Sequence, residues 1–219
     1  MGPTARAIQD PAAGPLTWTT VPSEMGEIAI VASAGGLTHL LLPRRGSLAA
    51  AVRRTVLPRE PVRGQNPVLV HFAHELRLYL TGAPLEFTGP IDLTGTTSYE
   101  RAVYAATRAI PHGETRSYGW IAAAAGGSPR AAGNALGRNP IAIVIPCHRV
   151  VASAGLGGFT GGLPLKRRLL ALEGAWPLNQ MELRLAGASE ASVPSRRRPA
   201  PAGQRSRDTP LARSRSHGS

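Results

Sequence analysis

The sequence predicts an α+β protein with two folded domains, a small mixed domain followed by a mostly helical one. Short strand-like runs with a Gly-Gly turn dominate the first part, whereas cap residues and glycines at helical spacing dominate the second. At 219 residues with 42% hydrophobic side chains, the chain can bury a sizeable core. We expect domains at residues 16–90 and 91–186, flanked by a disordered leader at 1–15 and a disordered basic tail at 187–219.

The first domain is predicted to begin with a meander. Three runs suit strands, at residues 16–21, 27–32 and 37–42, with Gly35 and Gly36 as a turn. A helix is expected at 47–55. A second helix is indicated by apolar residues at helical spacing from Val68 to Leu80, with Gly82 as its stop. His71 and His74 lie three apart on it without a third ligand in view, so this domain is interpreted as scaffold.

The formal net charge of +12 favours a polyanionic partner. Seven arginines against Glu190 and Asp208 leave +5 on residues 187–219, and the remaining 18 basic and 11 acidic residues leave +7 on residues 1–186. No apolar run approaches the roughly 20 residues of a membrane-spanning helix, so nucleic acid is the favoured partner. A single cysteine excludes an internal disulfide and a cysteine-based zinc cluster.

The second domain is predicted to contain a helix-turn-helix. A first helix, capped at residues 96–98, ends before Pro111. Ser117 caps the next helix, Tyr118 to Ala125, which Gly126 and Gly127 close. Ser128 caps a third helix, with Pro129 at the favoured first position. Two short helices joined by glycines are typical of this motif.

The third helix has unusual chemistry for a reader of DNA sequence. It consists largely of Ala131, Ala132, Gly133, Ala135 and Gly137, so it can supply few hydrogen bonds to base edges. Small side chains suit a helix that must enter the minor groove, which is only about 6 Å wide, and Arg130 is then its long probe. The alternative is that the small residues permit close packing between helices.

The segment IAIVIPCHRVV at residues 141–151 holds the only cysteine. Cys147 stands between Pro146 and His148, and a thiol beside an imidazole is a candidate nucleophile. The alternative is a buried structural cysteine that behaves as a small hydrophobe. The run from Ile141 to Ile145 suits a buried strand or a connector.

A glycine-rich loop and a final helix follow this segment, and the loop contains Gly155, Gly157, Gly158, Gly161 and Gly162. Pro164 opens the helix, Gly174 closes it, and leucines form its inward stripe. Lys166, with its two arginine neighbours, is expected to face solvent or phosphate. Glu173 follows four residues after Leu169 and therefore leans toward the core, where His148 is a suitable partner. A surface glutamate at the helix end is the alternative.

Five blocks, in the same order along the chain, carry a resemblance to a known family. They are IPHGETRSYG at 110–119, SPRAAGNALG at 128–137, RNP at 138–140, IPCHRVV at 145–151 and GGLPLKRRLLALEG at 161–174. The chain resembles the O6-alkylguanine-DNA alkyltransferases, also called methylated-DNA–protein-cysteine methyltransferases. The likeness covers residues 92–175 and, more loosely, 17–90. It implies a ribonuclease H-like N-terminal domain and a winged-helix-like C-terminal domain.

The resemblance also implies a reaction and its catalytic residues. After base flipping, the alkyl group of O6-methylguanine or O4-methylthymine in DNA passes irreversibly to Cys147, so each molecule acts once. His148 deprotonates the thiol through a water molecule, and Glu173 orients the imidazole. Asn139 braces the turn that carries the nucleophile, and Tyr118 stands at the mouth of the pocket. No cofactor and no metal are expected.

Further residues are implied for DNA and for the base. Arg130 resembles the finger that fills the gap left by the flipped nucleotide. The other expected DNA contacts are Ser128, Ala131, Gly133, Asn134, Arg138 and Arg149, and the expected substrate pocket comprises Val150, Phe159, Thr160 and Gly161. The expected partner is double-stranded DNA containing alkylated guanine. The protein is expected to be a monomer without membrane association, cytoplasmic and nucleoid-associated in a prokaryote or nuclear in a eukaryote.

Two other functions compete with an active alkyltransferase. One is a module that binds alkylated DNA without repairing it, although relatives of that kind lack the cysteine that this chain keeps. The other is an unrelated hydrolase with a Cys-His pair, for which the sequence offers no convincing oxyanion site.

Overall fold

The computed structural model describes residues 14–43 and 46–175. The predicted basic tail and nearly all of the predicted leader lie outside the described residues. The element order of the described part is a small sheet with two helices, then three helices, a tight turn and a last helix. This arrangement confirms the predicted α+β class.

The N-terminal sheet has four strands in the order β3-β2-β1-β4. The predicted meander is confirmed, with antiparallel β1–β2 and β2–β3 pairs whose strands are β1 Thr17–Val21, β2 Ile28–Ala32 and β3 Leu37–Leu41. Strand β4, Val62–Arg63, pairs in parallel with β1 and was not predicted. Two exposed residues are too few to show a strand periodicity. All five residues of β2 are buried because this strand lies inside the sheet.

Two capped helices accompany the sheet. Helix α1, Leu48–Val56, begins at Ser47, whose hydroxyl accepts a hydrogen bond from the amide of Ala50. Helix α2, Pro67–Leu80, begins at Asn66, whose side chain accepts from the amide of Leu69 at 2.8 Å. Its buried face contains the predicted apolar residues Phe72, Leu76 and Tyr79. Helix α2 packs on β1 and β2, which fixes the position of its C-terminal turn near the second half of the molecule.

The C-terminal half confirms the predicted helix-turn-helix. Helix α3, Ser98–Arg108, starts with a reciprocal capping box between Thr97 and Glu100. Helices α4, Tyr118–Ala125, and α5, Pro129–Gly137, start at the predicted caps Ser117 and Ser128. Gly126 ends α4 in the left-handed conformation with φ 75°, which lets the chain turn within three residues into α5. Helix α6, Leu163–Leu172, is the last element, and Glu173 is its C-cap.

The apolar run before the cysteine is a connector rather than a strand. All of its residues are buried, but Ile143 has φ 72° and the amide of Ile145 donates to the carbonyl of Ile141 at 2.9 Å, closing a turn. The connector leads into a 3₁₀ turn, Cys147–Arg149, and then into β6, Val150–Val151. Strand β6 pairs in parallel with β5, Arg116–Ser117. This short pair ties the cysteine turn to the start of α4.

The two halves share one hydrophobic core. The edge strand β3 bonds to the end of the first half through the amide of Leu37 and the carbonyl of Pro90 at 2.9 Å, and to the second half through the amide of Leu40 and the carbonyl of Pro140 at 2.8 Å. Buried residues of the sheet, of α2 and of the C-terminal helices pack in the same cluster. Over the described residues, no helix has the length and apolar character needed to cross a membrane.

Candidate active site

Asn139 holds the turn that carries the cysteine. Its side-chain amide donates to the carbonyl of Ile145 at 2.9 Å, and its side-chain oxygen accepts from the amide of Ile141 at 3.0 Å. One side chain therefore bonds both ends of the buried connector. Beyond it, the amide of Cys147 donates to the carbonyl of Ile145 at 2.7 Å, which makes a tight reversal at Pro146. The Asn139 side chain and this backbone reversal together place the cysteine.

Cys147 lies at a cavity of roughly 270 Å³ between α5 and the glycine-rich loop. The other residues that line this cavity are uncharged: Tyr118, Gly133, Leu136, Gly137, Gly158, Phe159 and Thr160. The cysteine is 8% exposed, so it is largely enclosed but reachable from the cavity. Its position in the cavity lining favours a reactive thiol over a structural cysteine sealed inside the core.

Tyr118 and the glycine-rich loop close one side of the cavity. The tyrosine hydroxyl donates to the carbonyl of Gly158 at 3.2 Å. Gly157 has φ 68°, and a Cβ atom there would lie 2.8 Å from the Tyr118 ring. The loop therefore needs glycine at this position for both its backbone angle and its close approach to the ring.

A buried network lies on the other side of the turn. Nε2 of His148 is 2.7 Å from Oε1 of Glu173, and both side chains are fully buried. Because a carboxylate only accepts, Nε2 is the donor in this contact. Arg149 donates to both carboxylate oxygens, from Nε to Oε2 at 2.8 Å and from Nη2 to Oε1 at 3.0 Å. Among the described residues, Nδ1 of His148 has no hydrogen-bond partner.

Burial and charge set the protonation states of these three groups. Burial raises the pKa of the Cys147 thiol, although the Asn139 amide and the charge of Lys166 oppose the rise. Burial lowers the pKa of His148 despite its contact with Glu173. Burial alone would raise the pKa of Glu173, but His148 and Arg149 outweigh it and hold that pKa well below its usual range. The imidazole is therefore neutral, the thiol protonated and the carboxylate ionised near neutral pH.

Lys166 is buried, so the expectation that it faces solvent or phosphate is wrong. Its side chain is fully buried, and its ammonium donates to the carbonyls of Val150 at 2.6 Å, Gly158 at 3.2 Å and Leu156. Burial lowers the pKa of this lysine to about 8, while the nearby Cys147 opposes the shift. The ammonium joins the strand after the cysteine to the glycine-rich loop, so it fixes the cavity wall.

Helix α5 lies between the cavity and solvent. Ala132, Ala135 and Leu136 are buried, and the hydroxyl of Tyr104 in α3 donates to the carbonyl of Ala135 at 3.1 Å. Arg130 and Asn134 are exposed on the other face. The small residues of α5 therefore do serve close helix packing, and they also leave a shallow outer face.

The chain matches two family models. Residues 98–175 match 6-O-methylguanine DNA methyltransferase, DNA binding domain, and residues 16–93 match 6-O-methylguanine DNA methyltransferase, ribonuclease-like domain. The structure is similar to the crystal structure of Mycobacterium tuberculosis OGT in complex with DNA, with a TM-score of 0.61 and 34% sequence identity over 76% of this chain and 98% of that one. The chain belongs to the methylated-DNA–protein-cysteine methyltransferase family.

Other relatives agree with this membership. A methylated-DNA–protein-cysteine methyltransferase of Methanothermobacter thermautotrophicus is 48% identical over 101 residues, which are 45% of this chain and 57% of that protein. One from Saccharolobus islandicus is 47% identical over 103 residues, covering 47% of this chain and 68% of that protein. The O6-methylguanine-DNA methyltransferase of Pyrococcus kodakaraensis has a TM-score of 0.57 at 27% identity, over 73% of this chain and 99% of that one. The predicted enzyme class and the ribonuclease-like and DNA-binding halves are confirmed at the level of the family.

Most of the site residues that the resemblance implies lie close together in the structure. Cys147, Tyr118, Gly133, Phe159 and Thr160 meet at the cavity, with His148, Glu173 and Asn139 directly behind it. Ser128, Arg130, Ala131, Asn134 and Arg138 lie along α5 or its end, and Arg138 also bonds Glu100 at 2.6 Å while remaining mostly exposed. The pairing of Glu173 with His148, predicted from helix spacing, is confirmed.

Three assignments of the methyltransferase site need correction. Arg149 is not placed to contact DNA, because it is 6% exposed and its guanidinium is occupied by Glu173 and by the carbonyl of Ile110. Val150 was expected to offer a backbone group to the guanine edge, but it is fully buried outside the cavity lining, and its carbonyl already accepts a hydrogen bond from Lys166. Gly161 lines a neighbouring groove, shared with His39 of the first domain, rather than the cavity around Cys147.

The histidines of α2 form a separate contact. Nε2 of His71 lies 3.1 Å from Oε1 of Glu75, and the hydroxyl of Thr88 donates to the same carboxylate oxygen at 2.7 Å. Within residues 14–43 and 46–175, no group of three or more His, Cys, Asp or Glu side chains is placed to hold a metal ion.

Proposed function

We propose that this protein repairs alkylated DNA by direct reversal, moving the methyl group of O6-methylguanine, and of O4-methylthymine, irreversibly onto Cys147. The observation that carries the proposal is a single thiol that opens into an uncharged cavity and is backed by a buried His148–Glu173 pair. Family membership supplies the reaction class. Each molecule acts once, because the thioether formed has no route back to a thiol.

The transfer is a displacement at the methyl carbon. His148, kept neutral by burial, takes the thiol proton at Nδ1 through a water molecule, while Glu173 holds Nε2. The thiolate forms the S–C bond as the C–O6 bond breaks, and the bonding electrons leave with the guanine oxygen. To assist the departing base, the hydroxyl of Tyr118 exchanges its hydrogen bond to the carbonyl of Gly158 for one to the guanine anion, which then takes a proton from water. A base is required because burial raises the pKa of the thiol, leaving little thiolate at neutral pH.

The target base reaches the sulfur by leaving the duplex. Helix α5 enters the minor groove, with Ser128, Ala131, Gly133, Asn134 and Arg138 along the contact and Arg130 as the probe. Rotating a nucleotide out of the stack costs a few kcal/mol, and a planar guanidinium stacked in the gap offsets part of that cost. Phe159 and Thr160 then border the flipped base inside the cavity.

Mass spectrometry of the Cys147 peptide tests this function. The protein is incubated with a duplex containing one O6-methylguanine, and the peptide is expected to gain the mass of one methylene group. A duplex with unmodified guanine and the Cys147→Ala variant serve as matched controls. An unmodified peptide together with tight binding to the methylated duplex would instead identify a non-repairing binding module. Turnover of an ester or a peptide would identify a hydrolase.

A further inference from the structure

A residue of the first domain reaches the buried pair behind the cysteine. Tyr79, near the end of α2, is fully buried, and its hydroxyl donates to Oε1 of Glu173 at 2.7 Å. The same hydroxyl oxygen lies 3.4 Å from Nε2 of His148. This contact spans 94 positions of the sequence, so the ribonuclease-like half supplies a group to the site.

The ring of Tyr79 is held independently of its hydroxyl. It packs against Phe87 at a centroid distance of 5.7 Å and meets the His112 ring edge-on at 6.3 Å. The hydroxyl is therefore placed by packing and aimed at one carboxylate oxygen. Burial, followed by the negative charge of Glu173, raises the pKa of Tyr79 well above its usual value, so this hydroxyl keeps its proton and remains a donor.

Oε1 of Glu173 is a shared acceptor. Tyr79 and His148 each approach it at 2.7 Å, and Nη2 of Arg149 approaches it at 3.0 Å. A carboxylate whose charge is divided among several donors attracts each of them less strongly. The hydroxyl of Tyr79 thereby limits how much negative charge the carboxylate presents to the imidazole.

We propose that Tyr79 is a positioning residue for the transfer reaction, fixing Oε1 of Glu173 against His148 and moderating the charge that His148 feels. The proposal rests on the function proposed above. Four titratable or charged groups act on His148: Arg149 from its own turn, Tyr79 from α2, and Lys166 and Glu173 from α6 and its end. Cys147 is its neighbour in the chain, and His112, in the loop after α3, contacts the Tyr79 ring.

The substitution Tyr79→Phe removes one donor from Oε1 and keeps the ring. The carboxylate then acts more strongly on His148, which stabilises the imidazolium and raises the pKa of His148. The neutral imidazole is the form that accepts the thiol proton, so the acidic limb of the rate profile moves to higher pH. We expect a shift of about half a pH unit, which makes transfer roughly threefold slower at pH values well below the pKa of His148 and leaves it nearly unchanged at neutral and mildly alkaline pH.

Two rate profiles test the role of Tyr79. The first is single-turnover methyl transfer from a saturating O6-methylguanine duplex. The second is alkylation of Cys147 by iodoacetamide. This reaction needs no DNA, and it reports on one thiol because the chain has one cysteine. Phe87→Leu is the matched control, since it loosens packing around the Tyr79 ring without removing the hydroxyl. Melting temperatures are recorded for all three proteins.

The expected result is a shifted acidic limb in both profiles for Tyr79→Phe and an unshifted one for Phe87→Leu. An unshifted limb in Tyr79→Phe, or the same shift in both variants, overturns the proposal and leaves Tyr79 a packing residue. If the parent protein fails to transfer methyl while iodoacetamide alkylation still shifts in Tyr79→Phe, the proposed function fails and the coupling of Tyr79 to the pair stands.

Discussion

The two sides of the Cys147 turn differ in polarity. The cavity side is lined by uncharged residues of α4, α5 and the glycine-rich loop. The network side holds His148, Arg149 and Glu173, all buried, with Tyr79 as a further donor. An alkylated guanine is neutral, so an uncharged cavity can hold it without removing water from any charged side chain. The groups that move the proton lie behind the sulfur, where Glu173 accepts hydrogen bonds from His148, Arg149 and Tyr79.

This difference predicts that substitutions on the two sides affect the transfer reaction in different ways. Changes to the network side should alter the chemistry on any substrate. Changes to α5 should matter only when the target base must leave a duplex.

The largest effect is expected for Glu173→Gln. Transfer should slow on the order of a hundredfold, because the amide orients His148 poorly and cannot balance Arg149, while affinity for the methylated duplex stays nearly intact. Rapid-quench transfer rates and fluorescence anisotropy measure the two quantities. Glu60→Gln, which removes an exposed carboxylate paired with Arg53 in the first domain, is the control. Equal loss of rate and affinity would remove Glu173 from its orienting role.

Lys166→Met should destabilise the protein and slow transfer on both DNA and free base. The substitution leaves up to three carbonyls without their donor, at about 1–3 kcal/mol for each buried group left unpaired. Urea denaturation measures the free energy of unfolding, and Arg168→Met on the exposed face of the same helix is the control. Unchanged stability would show that these contacts contribute nothing to the cavity wall.

Arg130→Ala should slow transfer from duplex DNA about tenfold and leave reaction with a free O6-alkylguanine base unchanged. The arginine is exposed on α5 and makes no part of the cavity lining. Arg54→Ala, at an exposed position of α1, controls for the loss of one positive charge. A parallel loss on both substrates would count against the finger assignment.

The smallest effect is expected for Ser128→Ala. The Ser128 hydroxyl accepts from the amide of Ala131 at 3.2 Å and caps α5, so its loss should lower the free energy of unfolding by about 1 kcal/mol. Urea denaturation compares this variant with Ser153→Ala in an exposed loop. Equal free energies of unfolding for the two variants would show that water replaces the Ser128 hydroxyl as the acceptor at the start of α5.

Local signals in the sequence predicted the helices well. Ser117 and Ser128 fixed the starts of α4 and α5, because a cap hydroxyl acts on amides two or three residues away. The inward position of Glu173 followed from its spacing to Leu169. These features depend on neighbours in the chain, which the sequence displays directly.

The cations around the site were harder to predict. Lys166 precedes Leu169 by three residues and so shares the inward stripe, but a charged residue is ordinarily assigned to the surface. Arg149 is expected at the DNA from the resemblance alone, and its actual carboxylate partner lies 24 residues later in the chain. Tyr79 was identified as an apolar helix position, yet its hydroxyl finds a partner in the other half of the molecule. Contacts of this kind depend on how the two halves pack.

The most direct test of the account is the stoichiometry of Cys147 methylation under excess O6-methylguanine duplex. Intact-mass and peptide measurements should show one methyl group per protein molecule, located on Cys147, with no further repair when fresh duplex is added. Repeated turnover, a methyl group on another residue, or an unmodified Cys147 after complete binding would contradict it.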